Sequence, residues 1–215
     1  MRNPIVIENK KLEALLSRFP EDVQEIFSQM IISYQLGYVD YVYQTKDVSV
    51  QNRRIRHLIK NLRRMDYFYV MPMTQELMVS VINDWHYPEP FENCTLTRQD
   101  AIYQQWASSR DQSENLLAII RNGAHIGYAW TDTIEENGIH LGFALKPSLI
   151  GKGLGPGFYQ AIESYLRENR NITFIEVSLL KDNNLAKSFL ERQNYSVFSS
   201  QSDNLVMRKE MEGIE

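Results

Sequence analysis

The chain has a single cysteine, Cys94, among 215 residues. One thiol excludes an internal disulfide and any metal site built from several thiolates. No apolar run approaches the ~18 residues needed to span a bilayer, so no transmembrane helix is expected. The opening Met1-Arg2-Asn3-Pro4 leads into charged residues rather than an apolar stretch, so no secretory signal is expected and a reducing cytoplasm is the expected location. Short repeats are absent, which excludes a fibrous chain. Positive charge is not in excess: 23 Lys and Arg stand against 27 Asp and Glu. That balance argues against a dedicated nucleic-acid binder, because neutralising phosphates needs a broad basic face. What remains is 43% hydrophobic, enough to build a core and too much for a disordered chain.

The charge is unevenly placed. Residues 1–66 hold 11 Lys and Arg against 8 Asp and Glu, and the remainder holds 12 against 19. Six basic residues, Arg53, Arg54, Arg56, Lys60, Arg63 and Arg64, crowd one short stretch, which reads as the solvated face of a helix. Such asymmetry predicts two units with different roles. Over residues 1–66 the apolar spacing is helical throughout: Leu12, Leu15, Leu16 and Phe19 before Pro20; Val23 to Ile31 in a helix expected to run from Glu21 to Leu36 and stop at Gly37; then Ile55, Leu58, Ile59 and Leu62.

Beyond residue 66 the pattern changes. Tyr67 to Met71 is aromatic and β-branched, a strand. Leu116 to Arg121 and His125 to Thr133 flank Asn122-Gly123, a strong hairpin signal. Ile139 to Leu145 is a near-continuous apolar run, as expected of a buried strand. Helical stripes at 158–166 and 183–193 alternate with a strand at 172–180 and a closing hairpin at 195–207. The expectation is an α/β (α+β) fold with a mixed sheet over residues 67–215, preceded by a small all-helical unit over 1–66.

The chemistry concentrates in one loop. Gly151, Gly153, Gly155 and Gly157 alternate between a strand and a helix. Glycines let the backbone turn N–H groups toward an anion, the helix adds its positive end, and Lys152 supplies a full charge. The expected chemistry is that of a pyrophosphate cradle, against the alternative of a flexible surface turn. The loop is not a dinucleotide fingerprint, since Pro156 or Phe158 occupies the last glycine position, nor a Walker A loop, since Gly153 follows Lys152. His140 lies within the apolar strand, and histidine can take up a proton near neutral pH. It is the candidate general base, against the alternative of a buried structural histidine. Glu176 and Ser178 are two apart on the next strand and so share a face; either could orient His140. Trp85, Trp106 and Trp130 read first as core.

Ile150-Gly151-Lys152-Gly153-Leu154-Gly155 resembles the acyl-CoA loop of the GNAT N-acetyltransferase superfamily, with Ile150 departing from the usual first residue. Leu145-Lys146-Pro147 ahead of it, Asn183-Asn184-Leu185-Ala186 after it, and Phe189 to Tyr195 resemble the family's flanking motifs. The resemblance spans about residues 68–211. It implies acetyl-CoA as co-substrate, no metal, and direct attack by a primary amine of a small molecule or peptide. It also implies that the backbone N–H of Leu145 polarises the thioester, that the N–H groups of Ile150 through Gly155 hold the pyrophosphate, and that Asn183 contacts the pantetheine arm. Leu190 stands where the family usually has its proton-donating tyrosine, and Tyr195 fills an aromatic core position. A non-catalytic CoA-binding sensor is the competing reading, and a homodimer is left open. Gly138 to Leu141 with Asn83-Asp84-Trp85 resembles the branch of siderophore and aminoglycoside 6′-N-acyltransferases. Tyr38 to Val42 with Lys46 and Arg53 to Ile55 resembles the helical tail of YdeI/OmpD-associated proteins.

Overall fold

A computed structural model describes residues 4–89, 91–108, 114–135 and 137–211. The chain divides into two compact units, the first reaching Phe68 and including Ile120–His125, the second comprising Tyr69–Ile119 and the chain from Ile126 on. A six-residue segment from the middle of the chain belongs with the helices.

The first unit holds α1 (Pro4–Leu16), α2 (Glu21–Ser28), α3 (Ile32–Tyr43) and α4 (Val48–Leu62). Leu15, Val23, Phe27, Val42 and Leu62 are buried together at its centre. Pro20 sits at the N-cap of α2, where its missing N–H leaves nothing unsatisfied. At the start of α4, Asp47 Oδ1 accepts from the Ser49 N–H at 2.8 Å. The single helix expected from Glu21 to Leu36 is in fact two. The break falls at Met30–Ile31, where Met30 bridges Ala124 and the Ile31 N–H donates to the Gly123 carbonyl at 2.8 Å. Gln35 braces the turn between the two helices, its Nε2 donating to the Phe27 and Met30 carbonyls at 2.9 and 3.1 Å. Gly37, expected as a terminator, lies inside α3.

The second unit is organised on a seven-stranded sheet flanked by helices. Its elements are β1 (Phe68–Pro72), α5 (Gln75–Asp84), α6 (Ala101–Ser108), β2 (Leu116–Arg121), β3 (Ala124–Ile134), β4 (Gly138–Leu145), α7 (Gly155–Asn169), β5 (Phe174–Leu180), α8 (Asn184–Arg192), β6 (Ser196–Gln201) and β7 (Asn204–Glu210). The strand order is β1-β2-β3-β4-β5-β7-β6. β3 and β4 are antiparallel, β4 and β5 parallel, and β5 pairs antiparallel with β7. The stripe Phe158, Tyr159, Ile162 and Leu166 buries one face of α7, as its helical spacing dictates. Among the described residues no helix is long and apolar enough to cross a membrane.

Candidate functional site

The site begins where a ladder stops. β4 and β5 pair at Gly138↔Phe174, Ile139↔Ile175 and His140↔Glu176, and the register ends there. Each strand then follows its other neighbour: β4 stays with β3 as far as Leu145↔Gly127, and β5 stays with β7 as far as Leu180↔Asn204. The strands part, and a cleft of about 860 Å³ opens between them.

Leu145 stands at the open end. The Lys146 N–H donates to the Ile126 carbonyl at 2.7 Å, which makes Leu145↔Gly127 a non-hydrogen-bonded pair of the antiparallel ladder. Both backbone polar groups of Leu145 consequently point away from β3, toward the gap. Its carbonyl accepts from the Tyr87 hydroxyl at 2.8 Å; its N–H faces the same side, away from β3. Tyr87 was not legible as a site residue, because its partner lies 58 positions away. The Tyr128 hydroxyl is likewise committed to the Cys94 carbonyl at 2.5 Å. Burial raises both phenols well above their ordinary pKa values and raises the Cys94 thiol as well, so all three stay protonated.

The glycine loop follows β4 directly. Gly151 and Gly153 both have φ +77°, and a Cβ on either would meet nothing within 4 Å. Glycine is demanded there by backbone conformation and not by crowding. The alternation sorts the N–H groups. Those of Ile150 and Lys152 donate back to Pro147 and Leu149 carbonyls, each at 3.3 Å. Those of Gly151, Gly153, Leu154 and Gly155 have no partner among the described residues. Two of the six expected donors, Ile150 and Lys152, therefore close the turn instead, and Lys152 contributes its exposed ammonium. The free N–H groups lie at the N-terminal end of α7, where the helix dipole adds positive potential. That set fits a pyrophosphate.

On one face of the sheet lie Trp130, His140, Ser178 and Glu176. The Ser178 Oγ is 2.9 Å from His140 Nε2, and the Trp130 ring meets the imidazole edge-on at 5.2 Å between centroids. Trp130 can lie flat there because its register partner is Gly142; a Cβ on Gly142 would fall 2.2 Å from the indole. Ser178 lines the cleft and His140 stands behind it. Glu176, the other candidate for orienting His140, is engaged elsewhere. Its Oε1 accepts from Arg208 Nε and Nη2 at 3.0 and 2.6 Å, and that guanidinium is packed between the rings of Phe174 and Phe198.

Asn183 caps α8, its Oδ1 accepting from the Ala186 N–H at 3.0 Å, and it also lines the cleft. Leu190 is buried against the same space and has no proton to give. Tyr195 is also buried, and its hydroxyl is 2.8 Å from that of Tyr159. Tyr195→Phe should therefore lower stability by about 1–2 kcal/mol, the cost of leaving the Tyr159 hydroxyl buried without its partner. Turnover per folded molecule should not change. Thermal melts and steady-state rates on the same protein check both, and a large fall in kcat with normal stability would make Tyr195 a proton donor. Among the described residues no group of His, Cys, Asp and Glu is arranged to hold a metal ion.

Comparison with known proteins bears on this arrangement. The model of the acetyltransferase (GNAT) family matches residues 79–195; the helical unit lies almost wholly outside that match. No curated protein matches the chain. Among solved structures, the N-acetyltransferase PseH of Campylobacter jejuni is 14% identical with a TM-score of 0.52, over 69% of this chain and 99% of that one. The PaiA N-acetyltransferase of Thermoplasma acidophilum, solved in complex with coenzyme A, is 16% identical with a TM-score of 0.53, over 67% and 99%. The ribosomal-protein-S18-alanine N-acetyltransferase of Escherichia coli is 14% identical with a TM-score of 0.51, over 68% and 96%. At such identities the likeness is one of fold.

Proposed function

Because this chain belongs to the GNAT acetyltransferase family, an enzyme family whose co-substrate is acetyl-CoA, we propose that it acetylates the primary amine of a small molecule by direct attack in a ternary complex. The observation that carries this reading is the loop after β4, where four N–H groups have no partner among the described residues at the start of α7. The adjoining strand edge is open to a cleft.

The roles follow from position. Gly151, Gly153, Leu154 and Gly155 would hold the pyrophosphate through their N–H groups, with Lys152 adding charge. The Leu145 N–H would polarise the thioester carbonyl from the strand edge. Asn183 and Leu190 would flank the pantetheine arm. Bound acetyl-CoA supplies an activated acyl group, so the protein need only position two substrates and move one proton. Ser178 faces the cleft and bonds His140, so the acceptor's proton passes to the Ser178 oxygen while the Ser178 proton passes to His140 Nε2. Neutral His140 is the base, acting through Ser178. The C–N bond forms as the C–S bond breaks, and the thiolate departs without an acid at the Leu190 position.

The small-molecule acceptor follows the resemblance of the 138–141 and 83–85 segments to the 6′-N-acyltransferase branch. The helical unit is read as an accessory module of the kind found in YdeI/OmpD-associated proteins. Incubation with acetyl-CoA and a panel of primary amines should release free thiol, with an acetylated amine identified by mass spectrometry. Calorimetry showing no acetyl-CoA binding would sink the reading.

A further inference from the structure

Acetyl transfer makes no use of the helical unit, yet α3 and α4 enclose an open groove of about 550 Å³. Tyr34, Tyr38 and Tyr41 of α3 and His57 and Asn61 of α4 line it, with Gly37 among them. Gly37 is the anomaly. It lies inside α3, where glycine costs stability relative to alanine. No left-handed φ requires it, and a Cβ there would meet nothing within 4 Å. Neither turn chemistry nor close packing among the described residues accounts for the bare position; a ligand lying against α3 does. The second helix supplies charge. The fifteen residues of α4 hold Arg53, Arg54, Arg56 and Lys60 and no Asp or Glu. Arg53 and Lys60 flank His57 at helical spacing, so they share the side of α4 that His57 presents to the groove. Both are exposed, and neither has a hydrogen bond or ion pair among the described residues. The Arg54 guanidinium lies 4.8 Å over the Tyr41 ring. Asp40, the one acid of α3, is not among the lining residues.

We propose that this groove binds single-stranded nucleic acid, with bases stacked on the tyrosines and phosphates paired to Arg53, Arg54 and Lys60. Aromatic faces beside a row of cations suit a single strand, because every base offers a π-face and every linkage a negative charge. An acidic polypeptide would engage the cations and leave the rings without a partner. The bare α3 backbone at Gly37 lets a base or sugar approach closely. Over the whole chain acids outnumber bases, which argues against a dedicated nucleic-acid binder but not against a local contact.

Fluorescence anisotropy on the full chain, with a labelled oligouridylate of about twelve nucleotides, tests this. Micromolar affinity is expected, falling with salt at a log–log slope of about −2, the value for three phosphates neutralised on a single strand. The double variant Arg53→Gln, Lys60→Gln should flatten that slope to about −0.7. Tyr41→Leu removes an exposed ring and should weaken binding about tenfold through lost stacking. Gly37→Leu should move two readouts in opposite directions. The melting temperature should rise, because leucine is the better helix former, while affinity falls about tenfold as the side chain fills the groove. Acetyl-CoA affinity should be unchanged in all these variants. Absence of oligonucleotide binding overturns the proposal, as does binding that Gly37→Leu and Tyr41→Leu leave untouched. Polyglutamate bound as tightly as the oligonucleotide overturns it too, and would assign an acidic protein to α4 instead.

Discussion

Gly153→Asp is expected to weaken acetyl-CoA binding by about 100-fold while leaving the melting temperature nearly unchanged. Two terms combine. The position has φ +77°, a left-handed conformation that costs an L-residue about 1–2 kcal/mol; the exposed loop relaxes out of it in the free protein, so the cost falls on binding, which demands that conformation. The new carboxylate would also stand beside the pyrophosphate, and a like charge in a partly screened site costs a further kcal/mol or so. Nothing lies within 4 Å of a Cβ there, so the loop has room and the fold is not crowded. Gly153→Ala separates the terms, because it introduces the conformational cost without the charge; a loss of about tenfold is expected from it. Calorimetric titration of acetyl-CoA into the three proteins measures both steps. Equal affinity in wild type and the aspartate variant would show that these N–H groups do not hold the pyrophosphate.

The second large effect belongs to His140. His140→Gln keeps a polar side chain able to reach Ser178 but cannot accept a proton. A fall in kcat of about 10²-fold is expected, the low end for a lost general base, with acetyl-CoA affinity unchanged. Ser178→Ala removes the group between His140 and the cleft and should lower kcat in the same sense. The pH–rate profile carries the discriminating information. Only the neutral imidazole accepts a proton, so wild-type turnover should fall as the medium becomes acidic, and the variant should lose that limb. A histidine held only for structure predicts a lowered melting temperature with normal turnover and an intact acidic limb. If the acidic limb persists in His140→Gln, another group is titrating. Glu176 would be a poor replacement, since Arg208 already holds its carboxylate.

Much of this protein was readable along the chain because the signals are local. The apolar run Ile139–Leu145 and the stripe Phe158–Leu166 declare a buried strand and an amphipathic helix by period alone. The alternating glycines announce a loop that needs left-handed residues, and the structure has Gly151 and Gly153 in that conformation.

What the tertiary structure decided depends on partners far apart in sequence. The break between α2 and α3 arises because Met30 and Ile31 bond to residues 123 and 124, and no helical period records that. The cleft exists because β4 and β5 each follow a different neighbour after His140↔Glu176. His140 is paired to Ser178 across 38 positions, while Arg208 takes Glu176 across 32. Sequence spacing placed all three candidate residues on neighbouring strands. Only register could assign their hydrogen bonds, because a shift of two residues along β5 exchanges one partner for the other on the same face.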